Sequence, residues 1–183
     1  MSDLYNKIVD QRGAFERLIA RIPGFSGYLE KASRRTADRM MRDYVAGRVA
    51  QRVRRMADME RRLLDLKGGL LYMSKTARVK ARIQLYHDKI NAATPGYSGF
   101  MDAIKIEEAE LERLYSFDEA QMRYVDQLDG ALDKLDAAIK VQAGQASPDG
   151  ALSIDDALAT VEAVIEEALQ AYALRDEVIA QLG

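Results

Sequence analysis

The chain has 183 residues, 48% hydrophobic and 31% charged, which is enough for a substantial core and too polar for a chain that lives inside a bilayer. It carries no Cys and one His, so disulfides, Cys-based metal sites and sites needing two imidazoles are excluded, and its 12 Gly and 3 Pro leave little material for glycine-rich phosphate loops, of which no GxxxxGK(S/T) or GxGxxG string occurs. The formal net charge of −2 conceals a strong asymmetry: residues 30–89 hold 17 Lys and Arg against 7 Asp and Glu, residues 100–140 hold 5 against 11, and residues 149–183 hold 1 against 8.

The first segment, MSDLYNKIVDQRG, places Asp3, Lys7, Asp10 and Arg12 early and lacks the apolar core of a secretory signal. No window approaches the ~20 apolar residues of a membrane span. The expectation is a cytoplasmic protein, with a membrane-peripheral one as the variant. Helix breakers are few: Pro23-Gly24 with Gly27, Gly68-Gly69, Pro95-Gly96 with Gly99, and Gly144 to Gly150 around Pro148. The five stretches between them, 2–21, 28–67, 74–93, 99–142 and 153–182, lack proline and carry helical apolar spacing.

In the second stretch the apolar stripe is Ala37, Met41, Val45, Val49, Val53, Met56, Met59, Leu63 and Leu66. The fourth carries a seam of steps of three and four, Leu111, Leu114, Asp118, Gln121, Val125, Leu128, Leu132, Leu135 and Ile139, as in a coiled coil. Asp118 and Gln121 interrupt it, and Phe117 and Met122 are expected to fill the space beside them. The fifth opens on Ser153 and Asp156, a capping box with Asp in place of Glu, followed by Ile154, Leu158, Val161, Ile165, Leu169, Tyr172, Ile179 and Leu182. A helix of 40 residues is about 60 Å long. The chain is therefore expected to be all-α, a single domain over 1–183, forming an elongated antiparallel bundle of about five helices, two of them about 40 residues long.

Pro23-Gly24-Phe25-Ser26-Gly27-Tyr28 and Pro95-Gly96-Tyr97-Ser98-Gly99-Phe100 match at an offset of 72 residues. Either proline, glycine and serine converged on one way to end a helix and cap the next, or a short-helix, long-helix hairpin was duplicated, 1–72 and 73–143, with the helix 153–182 added. In both cases Phe25, Tyr28, Tyr97 and Phe100 are expected to anchor the elbows.

Catalytic chemistry finds little purchase. Di-iron sites in helical bundles need paired Glu-x-x-His motifs, and three residues before His87 stands Gln84. Glu107, Glu108, Glu110 and Glu112 flank Leu111 and Leu114 as a solvated face does. Ser26 and Ser98 have no neighbouring base and read as helix caps. No enzyme activity, metal or cofactor is expected, and His87 reads as a partly exposed side chain.

The arginines carry the argument further. Ten of them, Arg34, Arg35, Arg39, Arg42, Arg48, Arg52, Arg54, Arg55, Arg61 and Arg62, fall within 29 residues. Arg54, Arg55, Arg61 and Arg62 cluster away from the apolar stripe and form the candidate interaction face, while Arg48 and Arg52 lie beside it. Three readings compete: neutralisation by the acidic helices of the same chain, a protein partner (a second copy included) or anionic membrane surface, and nucleic acid. Nucleic acid ranks last, because the overall pI near 5.6 is unlike that of a dedicated binder. If the first reading holds, Arg48 or Arg52 reaches a carboxylate of 99–142 or 153–182. Met40, Met41, Met56, Met59 and Met73 are read as gap-fillers in the core, with a promiscuous helix-binding groove as the alternative.

The stretch IPGFSGYLEKASRRTADRMMRDY, Ile22 to Tyr44, resembles a family of small uncharacterised bacterial helical proteins with an Ile-Pro-Gly-aromatic-x-Gly-Tyr elbow. IKIEEAELERLYSFDEA, Ile104 to Ala120, is similar to that family's second signature. The family brings no settled activity. Long charged helical scaffolds similar in architecture, the phage-shock-protein-A-like proteins, work at bacterial membranes. The resemblance and the charge pattern together give the functional expectation of a non-catalytic scaffold or interaction protein, membrane-peripheral or stress-related. The alternative is a nucleic-acid binder acting through the arginine-rich helix 28–67.

Overall fold

The structure, a computed structural model, describes residues 3–9, 13–24, 34–92 and 108–181. These form six α-helices: α1 (Asp3–Val9), α2 (Ala14–Arg21), α3 (Arg34–Leu64), α4 (Met73–Ala92), α5 (Glu108–Gln142) and α6 (Ile154–Gln181). A short 3₁₀ turn, Gly69–Tyr72, leads into α4, and no strand occurs among the described residues. The all-α expectation stands. Of the elbow residues, Pro23 and Gly24 form a described turn in which Gly24 takes a φ of +80°. Phe25, Tyr28, Pro95, Gly96, Tyr97 and Phe100 lie outside the described residues.

Two boundaries differ from expectation for a physical reason. The stretch 2–21, read as one helix, is two, because Gly13 adopts a left-handed φ of +74° that a right-handed helix cannot continue through. The stretch 28–67 stops at Leu64. There Gly68 turns left-handed at φ +82°, and Gly69 packs so tightly that a Cβ on it would collide with the Leu63 carbonyl. Over the described residues α3 runs for 31 residues and α5 for 35.

The core follows the apolar stripes. Met41, Val45, Val49, Met56, Met59 and Leu63 of α3 are buried with Val79, Ile83 and Ile90 of α4. From the other side come Leu114, Val125, Leu128, Leu132, Leu135 and Ile139 of α5, and Ile154, Leu158, Val161 and Ile165 of α6. Phe117 and Met122 are fully buried beside the polar gap in the α5 seam, as expected. α3 packs on α4 and α5, α6 packs on α4 and α5, and α1 and α2 lie along α5.

Helix direction can be read from the charge pairs. Arg48, Arg52, Arg55 and Arg62 of α3 meet Asp126, Asp129, Asp133 and Asp136 of α5 in ascending order. Lys75, Arg78 and Arg82 of α4 likewise climb along Asp155, Glu162 and Glu166 of α6. Helices α3 and α5 therefore run parallel, and so do α4 and α6. Within each hairpin, α3 with α4 and α5 with α6, the packing is antiparallel: Glu60 reaches Thr76 and Lys80, and Asp118 reaches Arg175. The expected antiparallel bundle followed from short connections between successive helices; the charges decide how one hairpin lies on the other.

The α5–α6 turn is closed by local chemistry. Gly144 and Gly150 take φ values of +69° and +73°. Ser153 caps α6, its hydroxyl oxygen accepting from the Asp156 N–H at 3.1 Å while the hydroxyl donates to the Asp156 carboxylate at 2.7 Å. Replacing Ser153 with Ala is expected to cost about 1 kcal/mol of stability, read as a lower urea midpoint with an unchanged slope.

Candidate functional site

Two sets of polar side chains stand out, one between the hairpins and one inside the core. The first is built on periodicity. Arg48, Arg52, Arg55 and Arg62 each precede a member of the α3 apolar stripe, Val49, Val53, Met56 and Leu63. They therefore form a basic stripe about 100° round the helix from the apolar one. On α5 each member of the acidic stripe Asp126, Asp129, Asp133 and Asp136 directly follows a member of the apolar seam, Val125, Leu128, Leu132 and Leu135. When the apolar stripes meet, the charged ones must meet at their edge, as flanking charges do in coiled coils.

The contacts are close. An Arg48 Nη lies 3.0 Å from an Asp126 carboxylate oxygen, and Arg52 pairs with Asp129. Arg55 reaches Asp133 at 2.5 Å, and Arg62 pairs with Asp136, which Lys140 also holds at 2.7 Å. Arg52 is the buried member of the series, and it also donates to the Arg48 carbonyl at 2.8 Å. Burial works to raise the Asp136 carboxyl, but the hydrogen bonds from Lys140 and Arg62 outweigh it and hold it below the usual carboxylate range. The second ladder, between α4 and α6, joins Lys75 to Asp155 at 2.5 Å, Arg78 to Glu162 at 3.1 Å, and Arg82 to Glu166. The ion pair expected of Arg48 or Arg52 is made by both.

The candidate interaction face is divided by this arrangement. Arg55 and Arg62 turn towards α5. Arg61 is exposed and pairs with Asp58 of its own helix, and Arg54 is exposed without an ion-pair partner among the described residues. The side chains of Arg34 and Arg35 lie outside the described residues.

The second set fills the gap that Asp118 and Gln121 leave in the α5 seam. Asp118 is buried and receives a 2.7 Å hydrogen bond from Nε of Arg175, which is 1% exposed. The Arg175 guanidinium lies 6.0 Å from the centre of the Tyr172 ring, and Tyr172 meets Tyr86 edge to face at 6.5 Å. The Tyr86 hydroxyl donates to Gln121 Oε1 at 2.7 Å. Burial raises both phenols, Tyr86 strongly and Tyr172 to about 12, so both are neutral at physiological pH. Next to this layer Glu119 is buried between Arg17 of α2 at 3.4 Å and Arg123 at 2.7 Å, which ties α2 to α5.

Arg175 was not among the expected residues, although two signals mark it. It is the one basic residue in 149–183, and it falls in the gap of the α6 stripe between Tyr172 and Ile179. That gap matches the polar gap at Asp118 and Gln121. His87 is partly buried at the side of α4, its Nδ1 2.9 Å from Asp88, and hydrogen bonding to His87 and then Gln84 holds the Asp88 carboxyl below its usual range. Among the described residues no group of three His, Cys, Asp or Glu side chains is placed to hold a metal ion, and none of their helices is long and apolar enough to cross a membrane.

Compared with known proteins, the chain matches no family model, no curated protein and no solved structure.

The buried pair and the half-buried ladder should respond differently to substitution. Arg52→Met keeps the apolar stem and leaves Asp129 near Arg48 and Arg55, so the protein is expected to stay folded with a loss within about 1 kcal/mol. Asp118→Ala removes the carboxylate that Nε of the buried Arg175 donates to and is expected to cost about 3–5 kcal/mol, most of it recovered when Arg175→Met is added. Urea unfolding of the three variants checks the ranking.

Proposed function

We propose that the chain is a non-catalytic helical scaffold or interaction protein that works in the cytoplasm, with an elongated hairpin-on-hairpin bundle as its frame. One observation carries this reading: four arginines of the arginine-rich α3, Arg48, Arg52, Arg55 and Arg62, are engaged by the chain's own α5. A nucleic-acid backbone competing for Arg48, Arg52, Arg55 and Arg62 must first displace Asp126, Asp129, Asp133 and Asp136, which are tethered to them at high effective concentration. The basic and acidic halves thus read as two faces of one internal interface, with Arg39, Arg54 and Arg61 the exposed arginines among the described side chains of α3.

The exposed arginines among the described side chains of α3, two of them already paired within that helix, give weak, easily screened attraction to phosphates. A gel shift with random-sequence DNA and RNA is expected to show no complex that survives moderate salt. A complex that persists there would overturn this reading and return α3 to the role of a nucleic-acid-binding helix.

A further inference from the structure

The described residues expose five large hydrophobic side chains, Leu64, Leu70, Leu71, Leu85 and Leu152. Four of them belong to one pole. Because α3 and α5 run parallel, the turn after α3 and the turn after α5 emerge at the same end, where Lys75 pairs with Asp155 across them. Leu64, Leu70 and Leu71 come from the first turn and Leu152 from the second.

Leu70 and Leu71 protrude furthest, at 76% and 78% exposed. They are held out by a built turn. Gly69 N–H donates to the Leu66 carbonyl at 2.9 Å and Leu71 N–H to the Gly68 carbonyl at 3.1 Å, while Gly69 itself is buried against the end of α3. Tyr72 and Met73, just behind, pack onto the core and fix the base of the tip. Two adjacent leucines on a hydrogen-bonded 3₁₀ turn, facing water, carry a standing hydrophobic cost that folding does not relieve.

We infer that this pole is a membrane-docking tip, in which Leu70 and Leu71 insert into the interfacial region of a lipid bilayer with Leu64 and Leu152 at its rim. The inference rests on the scaffold reading and gives it a surface and a partner. Patch size selects the partner. Four leucines present only a few hundred Å², well short of the roughly 800 Å² per partner of a stable protein complex. A bilayer asks for no matching surface, only for apolar side chains that project beyond the polar ones. Charge selects the lipid. Lys67 and Lys75 are offset by Asp65 and Asp155 at the same turns, so the tip has no cationic excess to seek anionic headgroups. The occupant is therefore a zwitterionic interface, reached by insertion and indifferent to salt.

The test is co-sedimentation of the full chain with small vesicles of phosphatidylcholine and phosphatidylethanolamine, at low and moderate salt, beside vesicles containing phosphatidylglycerol. The full chain is expected to bind all of them alike at both salt concentrations. Leu70→Ser with Leu71→Ser is expected to lower partitioning by more than about tenfold. Its helical circular dichroism should not change, because both side chains already face water. Leu85→Ser, an exposed leucine away from the tip, is expected to bind like the parent. No binding, binding confined to anionic vesicles and lost with salt, or equal binding by the double variant would overturn the proposal. Concentration-dependent self-association without vesicles, abolished by the double variant, would overturn it in favour of a second copy of the chain. None of these outcomes touches the scaffold reading, which the nucleic-acid gel shift tests separately.

Discussion

The arrangement of this protein depends on the opposition between a basic hairpin and an acidic one. Helices α3 and α4 carry fifteen Lys and Arg against five Asp and Glu, and α5 and α6 carry five against sixteen. Either hairpin alone could bury its apolar stripes against itself, yet it would present a strongly one-signed surface. Laid side by side, the two exchange that repulsion for two ladders of ion pairs. Each half-exposed pair contributes little, about 0.2–1 kcal/mol. The larger effect is on direction: an antiparallel docking of α3 on α5 would keep the core and break the ascending order of Arg48 to Arg62 against Asp126 to Asp136.

The buried polar layer does in the core what the ladders do at its edge. Apolar stripes of Leu, Val and Ile are nearly degenerate to a slide of one helical turn. A slide of α6 along α5 would leave Arg175 opposite an apolar side chain and Asp118 without its partner. Desolvation consumes much of the attraction of such a pair, so its contribution lies in uniqueness more than in stability. Tyr86 and Gln121 extend the same constraint from α5 to α4, so that both hairpins are fixed by one layer.

Much of this was legible in the residues. The steps of three and four named the buried faces, and Phe117, Met122 and the Ser153 cap fall where the pattern placed them. The charge asymmetry pointed to internal neutralisation, and Arg48 and Arg52 make the cross-bundle pairs that follow from it. What escaped was local or long-range. Gly13 sits inside an otherwise helical pattern, and a single glycine does not reveal whether its φ is negative or positive. Parallel docking escaped because helix order along the chain says nothing about which hairpin edge meets which. Arg175 escaped because a lone cation in an acidic helix reads as surface until the polar gap opposite is noticed. The exposed Leu70–Leu71 tip was hidden because a Gly-Gly-Leu-Leu run reads as a plain breaker followed by helix.

The proposed scaffold function treats the arginine-dense α3 as an internal strut and places the surfaces for partners elsewhere. That conclusion stands or falls with the parallel docking of α3 on α5. Because the chain has no cysteine, spin labels can be placed in pairs at exposed positions, Gln51 and Arg61 on α3 with Gln127 and Ala137 on α5. Ten residues of helix separate the members of each set by about 15 Å. Pulsed dipolar spectroscopy should then find short distances for 51 with 127 and for 61 with 137, and longer ones for 51 with 137 and for 61 with 127. The reverse pattern would mean antiparallel docking and would contradict the charge register from which the rest of the account follows.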